Sequence, residues 1–397
     1  MMTLIKTFPL LLLFFAVALS GCNGSSSDSD SNATLHKIGV LLPLTGDLAG
    51  AGQTFKASVE VAAAKRPKTR LIVKDSQSLA VTSEAMMSEF KAEGVDMVIG
   101  PAGSEAALGA KNFADQNDQT LLSCSSTAVS LAIPNDSLFR FAVPDMAQAQ
   151  VLAQKITDSG ITHLAVFVQP DIYGHGLSSA LADNFKNAGG TVFATYSMRG
   201  ASSVEDMRYI LDQFSQDLSP VLEEVGEARI GVVLVMYEQA VTLLQVADDY
   251  MGLHRLTWYG TDSLALSTVL TGNALASAFA VRSDFSCPLT AEFSNDEYQK
   301  IKDEISAVIG GPASVYAVMY HDALLVTFDA IEKAGGQSPE ILRPALREVA
   351  AAFSGATGPI ALDVNDDRSE PKTYNFWKVT VQGGGYAWAL DSRERVR

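Results

Sequence analysis

From Leu35 onward the chain alternates short apolar runs with longer stretches in which apolar residues recur every three or four positions. The runs read as strands and the periodic stretches as helices. In the first half the predicted strands are Lys37–Leu42, Leu71–Val73, Met97–Ile99, Thr120–Leu122 and Leu138–Phe141. The helices between them cover Phe55–Ala64, Ser83–Glu93 and a segment opening at Ser104. Pro144 ends this series, and a helix follows to Asp158. The rhythm resumes with strands His163–Val168, Thr191–Tyr196, Ile230–Met236, Leu256–Tyr259 and Phe279–Val281. Helices are predicted at Leu177–Asn187, Val204–Phe214 and Gln239–Met251. Three helical stretches then run on, Asp296–Val308, Val315–Ala334 and Ser338–Phe353. Strands Pro359–Asp363 and Tyr374–Val381 close the chain around an acidic turn at Asn365-Asp366-Asp367. That turn lacks calcium-ligand spacing and reads as a solvated turn. Alternation of this kind predicts an α/β fold of two doubly wound parallel sheets with helices on both faces.

The pattern also locates a candidate site. Strand Met97–Ile99 ends in Gly100-Pro101, with Ser104 at the next helix start, and strand Thr120–Leu122 runs into Ser123-Cys124-Ser125-Ser126-Thr127. In a parallel sheet both ends lie on one edge, where a helix N-terminus and two hydroxyl-rich loops favour an anion. Taken alone, Ser104 also fits a helix cap and the serine run a plain loop.

Composition changes the picture only in part. Apolar residues make up 47% of the 397, which is ample for two domains, and the net charge is −16. No basic stripe is present, so nucleic acid is not an expected partner. The first residues matter more. Lys6 precedes an almost wholly apolar Phe8–Leu19, followed by Leu19-Ser20-Gly21-Cys22 and the polar Gly24–Asn32. This is a secretory leader, too short to span a membrane stably. Its ending resembles the lipobox of bacterial lipoproteins. That resemblance implies lipidation of Cys22 after removal of residues 1–21, with 22–34 as a flexible tether. The remaining cysteines, Cys124 and Cys287, are open to two readings, a disulfide or two buried free thiols.

Enzymatic constellations are missing. The glycines after the first strand lack dinucleotide-loop spacing, and no P-loop, HExxH or GxSxG occurs. The histidines His36, His163, His175, His254 and His321 are scattered without zinc spacing. His175, between Gly174 and Gly176, reads as a turn residue. No catalytic group, metal or cofactor is expected.

Seven stretches, IGVLLPLTGDLAGAG, VDMVIGPAGS, LLSCSSTAVSL, FRFAVPD, DIYGHGL, WYGTDSL and GATGPIALD, occur in order along the chain. Together they resemble the type I periplasmic binding proteins of the leucine/isoleucine/valine-binding branch, which serve ABC importers. The resemblance implies two lobes joined by three hinge crossings, with ligand held between them. Lobe 1 would be 35–143 plus 283–357, and lobe 2 would be 144–282 plus 358–397. Transferred position by position, Ser104 and Thr127 would hold a ligand carboxylate, and Ser125 would offer its carbonyl to an ammonium. Tyr173 and Tyr237 would form walls, and Asp262 would pair with the ammonium. Ala51 stands where some members carry an aromatic, and 215–227 runs longer than the family pattern. The implied function is non-enzymatic capture of an amino acid or close relative for a membrane permease, by a lipid-anchored body outside the cytoplasmic membrane. A sensing or regulatory lipoprotein of the same fold is the other reading the resemblance allows.

Overall fold

Runs such as Ile230–Val235, buried at every position, can only sit in sheets covered on both faces, and the structure places them there. It is a computed structural model that describes residues 35–198 and 203–396. The leader, Cys22 and the tether therefore lie outside the described residues.

The first sheet holds β1 (His36–Leu42), β2 (Thr69–Asp75), β3 (Met97–Ile99), β4 (Thr120–Ser123) and β5 (Leu138–Arg140). Their order is β2-β1-β3-β4-β5, with every pairing parallel. The connections are α1 (Ala49–Ala63), α2 (Ala80–Ala92) and α3 (Ser104–Ala114).

The second sheet starts after α4 (Asp145–Asp158). It holds β6 (His163–Val168), β7 (Thr191–Ser197), β8 (Ile230–Val235), β9 (Thr257–Tyr259) and β10 (Ser286–Thr290). Between these strands lie α5 (Ile172–Asn187), α6 (Val204–Val225), α7 (Ala240–Ala247), α8 (Thr268–Gly272) and α9 (Ala274–Arg282). Helices α10 (Asp296–Ile309), α11 (Val315–Ala334) and α12 (Pro339–Ala352) return to cover the first sheet. The hairpin β11 (Thr373–Gln382) and β12 (Gly385–Arg395) then joins the second sheet antiparallel to β10. The seven-stranded order is β12-β11-β10-β9-β8-β6-β7. The chain thus passes between the sheets three times, at 141–144, 291–295 and 369–372. Among the described residues no helix is long and apolar enough to cross a membrane.

Several expectations are corrected. Phe279–Val281 is helical: Ala276, Phe279 and Ala280 share a buried face of α9, and Asn273 caps it by accepting from the Ala276 N–H. The strand comes later, at Ser286–Thr290, where Pro288 disguised it. Pairing with β9 is confined to Ser286, so the missing N–H of Pro288 falls beyond that ladder. The segment 283–357 therefore begins in the second sheet rather than the first. Residues 358–397 also do not return at once, because Asp367 still pairs with Arg140 beside β5.

Pro359–Asp363 forms no strand, only a bridge at Leu362. Helix α6 continues past Phe214 to Val225, burying Met207, Leu211, Phe214 and Leu218 along one stripe. The acidic turn is not solvated. Asp366 accepts from Arg347 at 2.6 Å and Asp367 from Arg140 Nε at 2.5 Å, and both aspartates are buried. His175 is an exposed residue in the first turns of α5, where Gly174 lets the helix pass within 2.0 Å (from a hypothetical Cβ) of the Gln169 carbonyl. Cys124, just after β4, and Cys287, in β10, are free, buried and packed into separate cores.

Candidate ligand-binding cleft

One wall of the space between the sheets is built from loops of the first. Gly103, at φ +87°, turns the chain into α3 and is its N-cap, so Ser104 is the first helical residue rather than the cap. The Ser104 hydroxyl accepts the Ala128 N–H at 3.0 Å and keeps its own hydrogen for donation. The first N–H groups of α3 have no intrahelical acceptor and point the same way.

The Ser123–Thr127 loop is folded against this turn. Ser123 donates to the Pro101 carbonyl at 2.8 Å and accepts the Ser126 N–H at 3.1 Å. Arg140 fixes the loop from beneath. Its Nη1 donates to the carbonyls of Ala128 (2.8 Å) and Ser126 (3.2 Å), while Nε and Nη2 pair with Asp367. Ser125 shares a 3.1 Å hydrogen bond with the Tyr320 hydroxyl. The Thr127 carbonyl accepts the Asp145 N–H.

The opposite wall belongs to the second sheet. Asp171 caps α5 through the Gly174 N–H and so sets the position of Tyr173. The Tyr173 ring stacks on Tyr237, with centroids 5.3 Å apart and planes at 14°. Asp262, in the loop after β9, accepts the Tyr173 hydroxyl at 2.9 Å and the Tyr316 hydroxyl at 2.6 Å. It is no helix cap, since α8 starts only at Thr268 and is capped by Ser267. Burial first, and the Asp262 charge second, push the Tyr173 and Tyr316 phenols well above their ordinary value. Both therefore remain donors. Burial and the neighbouring Asp171 do the same for Tyr237.

Behind the cleft, Gln148 joins the two walls. It donates to the Asp145 carboxyl at 3.1 Å and accepts the Asp262 N–H at 2.9 Å. Burial and then the Asp262 charge raise the Asp145 carboxyl well above the carboxylate range.

Between these walls lies a cavity of about 610 Å³, lined by Ser104, Ser125, Thr127, Tyr173, Tyr237 and Asp262, so the structure brings all six predicted residues together. Ala51 lines it as well. Sequence reading missed Tyr316, Glu238 and the buried Asp145–Gln148 pair. Tyr316 lies among the buried apolar positions of α11, and only the Ser314 cap two residues before it marks it as a helix-start residue. Glu238 follows Tyr237 directly and had no motif of its own. Among the described residues, no group of three or more His, Cys, Asp or Glu side chains is placed to hold a metal. Neutral donors on one wall and a tyrosine-held carboxylate on the other can bind a molecule with an anionic and a cationic end.

The chain is 26% identical to an uncharacterized protein of Methanocaldococcus jannaschii over 96% of each chain. Its fold matches that of a leucine binding protein from Thermotoga maritima, with TM-score 0.72 and 19% identity over 90% of this chain and 98% of that one. It likewise matches an R. palustris ABC-transporter solute binding protein solved with benzoate, with TM-score 0.70 and 18% identity over 89% and 96%. A periplasmic binding protein family model covers residues 36–385. With two parallel-sheet lobes in the type I arrangement, the chain belongs to that family of extracytoplasmic solute-binding proteins, which are not enzymes.

Proposed function

We propose that this protein is a lipid-anchored receptor that captures an amino acid in the cleft and delivers it to an ABC importer, without catalysis. The carrying observation is the Asp262 carboxylate, held by Tyr173 and Tyr316 opposite the neutral donors of Ser104, Thr127 and the α3 N-terminus. A zwitterion satisfies both walls. A benzoate offers a carboxylate but no cation, and would leave Asp262 buried without a counter-charge. The reading extends to Cys22 as the acylated residue and to closure of the two sheets about the three crossings on binding.

Calorimetric titration with α-amino acids and with benzoates tests it. Amino acids are expected to bind and to contract the particle in small-angle scattering, and benzoates to fail. Benzoate binding with no response to any amino acid overturns the reading. For the anchor, labelled fatty acid should enter the wild-type protein and be absent from Cys22→Ser.

A further inference from the structure

Glu238 takes no part in the contacts described so far. It stands directly after Tyr237, at the end of β8, lines the cleft and is half-buried. Among the described residues its carboxylate has no hydrogen-bond or ion-pair partner. It reaches from the second sheet to the first: one carboxylate oxygen lies 2.7 Å from where a Cβ on Gly50 would stand. The bare Gly50 and the small Ala51 open the cavity at this end, at the first turn of α1.

The charge balance of the cleft is one-sided. Among the described residues its lining acids are Glu60, Glu238 and Asp262, and its one lining base, Lys56, is tied to Glu60 at 2.7 Å. Near Glu238 the other charge is Asp47, again an acid, and burial with that neighbour raises the Glu238 carboxyl above its ordinary value. An apolar ligand side chain would face a partly desolvated carboxylate and give it nothing in return. A cationic side chain would complete it, and Glu238 bridging to α1 would then seal the charge from solvent.

We infer that Glu238 sets the specificity of this cleft by taking a second cationic group, so that the preferred ligand is a basic amino acid whose side chain ends in an ammonium or guanidinium. This rests on the reading of the cleft as an amino-acid site, with the α-ammonium at Asp262 and the α-carboxylate at Ser104 and Thr127. The ligand's far end then lies toward Gly50 and Glu238.

The test is calorimetric titration of the wild type and Glu238→Gln with L-lysine, L-ornithine, L-arginine and L-leucine, beside melting curves of both proteins. The amide keeps the shape and removes the charge. The best basic ligand is expected to bind the wild type about tenfold or more tightly than leucine. Glu238→Gln should lose about tenfold for that ligand and leave leucine binding no weaker. Raising the salt should shrink the wild-type preference. Leucine binding as tightly as any basic amino acid overturns the inference and leaves the amino-acid reading standing. An equal loss for both ligands in Glu238→Gln also overturns it. Absence of binding by all four overturns both.

Discussion

The two walls of the cleft are built on opposite electrostatic plans. On the first-sheet side the Ser104 turn and the Ser123–Thr127 loop offer hydroxyls and N–H groups, and the charges that hold them are buried beneath in Arg140 and Asp367. The lining charges of α1, Lys56 and Glu60, are paired with each other. On the second-sheet side the charges themselves, Asp262 and Glu238, line the cavity, with two phenols holding Asp262. The contrast matches what each end of the proposed amino-acid ligand requires. A carboxylate is well solvated by several neutral donors whose dipoles are already aligned. An ammonium is a compact charge that gains most from an opposite charge nearby. Changes to the buried charges beneath the first wall should therefore act through stability, and changes to the charges that line the second through affinity.

The largest expected effect is on stability. Arg140→Met leaves Asp367 buried without its partner and unties the 126–128 loop. Chemical denaturation should show a loss of about 3–5 kcal/mol. A change below 1 kcal/mol would mean that the loop holds itself. Next comes Asp262→Ala, with an expected affinity loss of about thirty-fold to several thousand-fold for an amino acid, from about 2–5 kcal/mol. Its melting point should move far less than that of Arg140→Met, and near-normal affinity with early melting would refute the division of labour between the walls.

Asp145 sits where the walls meet, and pH reveals it. Unfolded, its carboxyl loses its proton near 3.8; folded, only well above that. Between the two values the folded state holds the extra proton, so this group's contribution to stability falls as pH rises. Asp145→Asn removes that term, so the wild type should lose stability relative to the variant as pH climbs upward from about 4. Parallel curves would place the proton elsewhere. The smallest effect is that of Ser104→Ala. It removes one neutral donor and should weaken binding about three- to tenfold, on the scale of one hydrogen bond.

How much of this was legible depended on whether the decisive partner was near in sequence. Strands such as Ile230–Val235 announce themselves because burial on both faces demands an unbroken apolar run. Ser104, Thr127 and Asp262 stood out through short local stretches that resemble a known family. Tyr316 did not, because its partner Asp262 is 54 positions away and its own neighbours on α11 are core residues. The Asp366–Asp367 turn was misread for the same reason. Two adjacent aspartates look solvated until Arg140, 227 positions from Asp367, is brought under them. Strand β10 was hidden by Pro288, whose cost in the ladder depends on which side is paired, a fact of topology rather than composition.

The hydrogen bond from Tyr316 to Asp262 joins a helix packed on the first sheet to a loop of the second, within the protein itself. If the two sheets close on ligand as proposed, this bond favours the closed arrangement whether or not the cleft is filled, and a share of the unliganded protein would then be closed. That would raise affinity, because less of the binding energy is consumed in moving the lobes. It would also present unliganded carriers to an importer that senses only the closed shape. On that reading, one phenol sets a compromise between capture at low concentration and silence when nothing is there to carry.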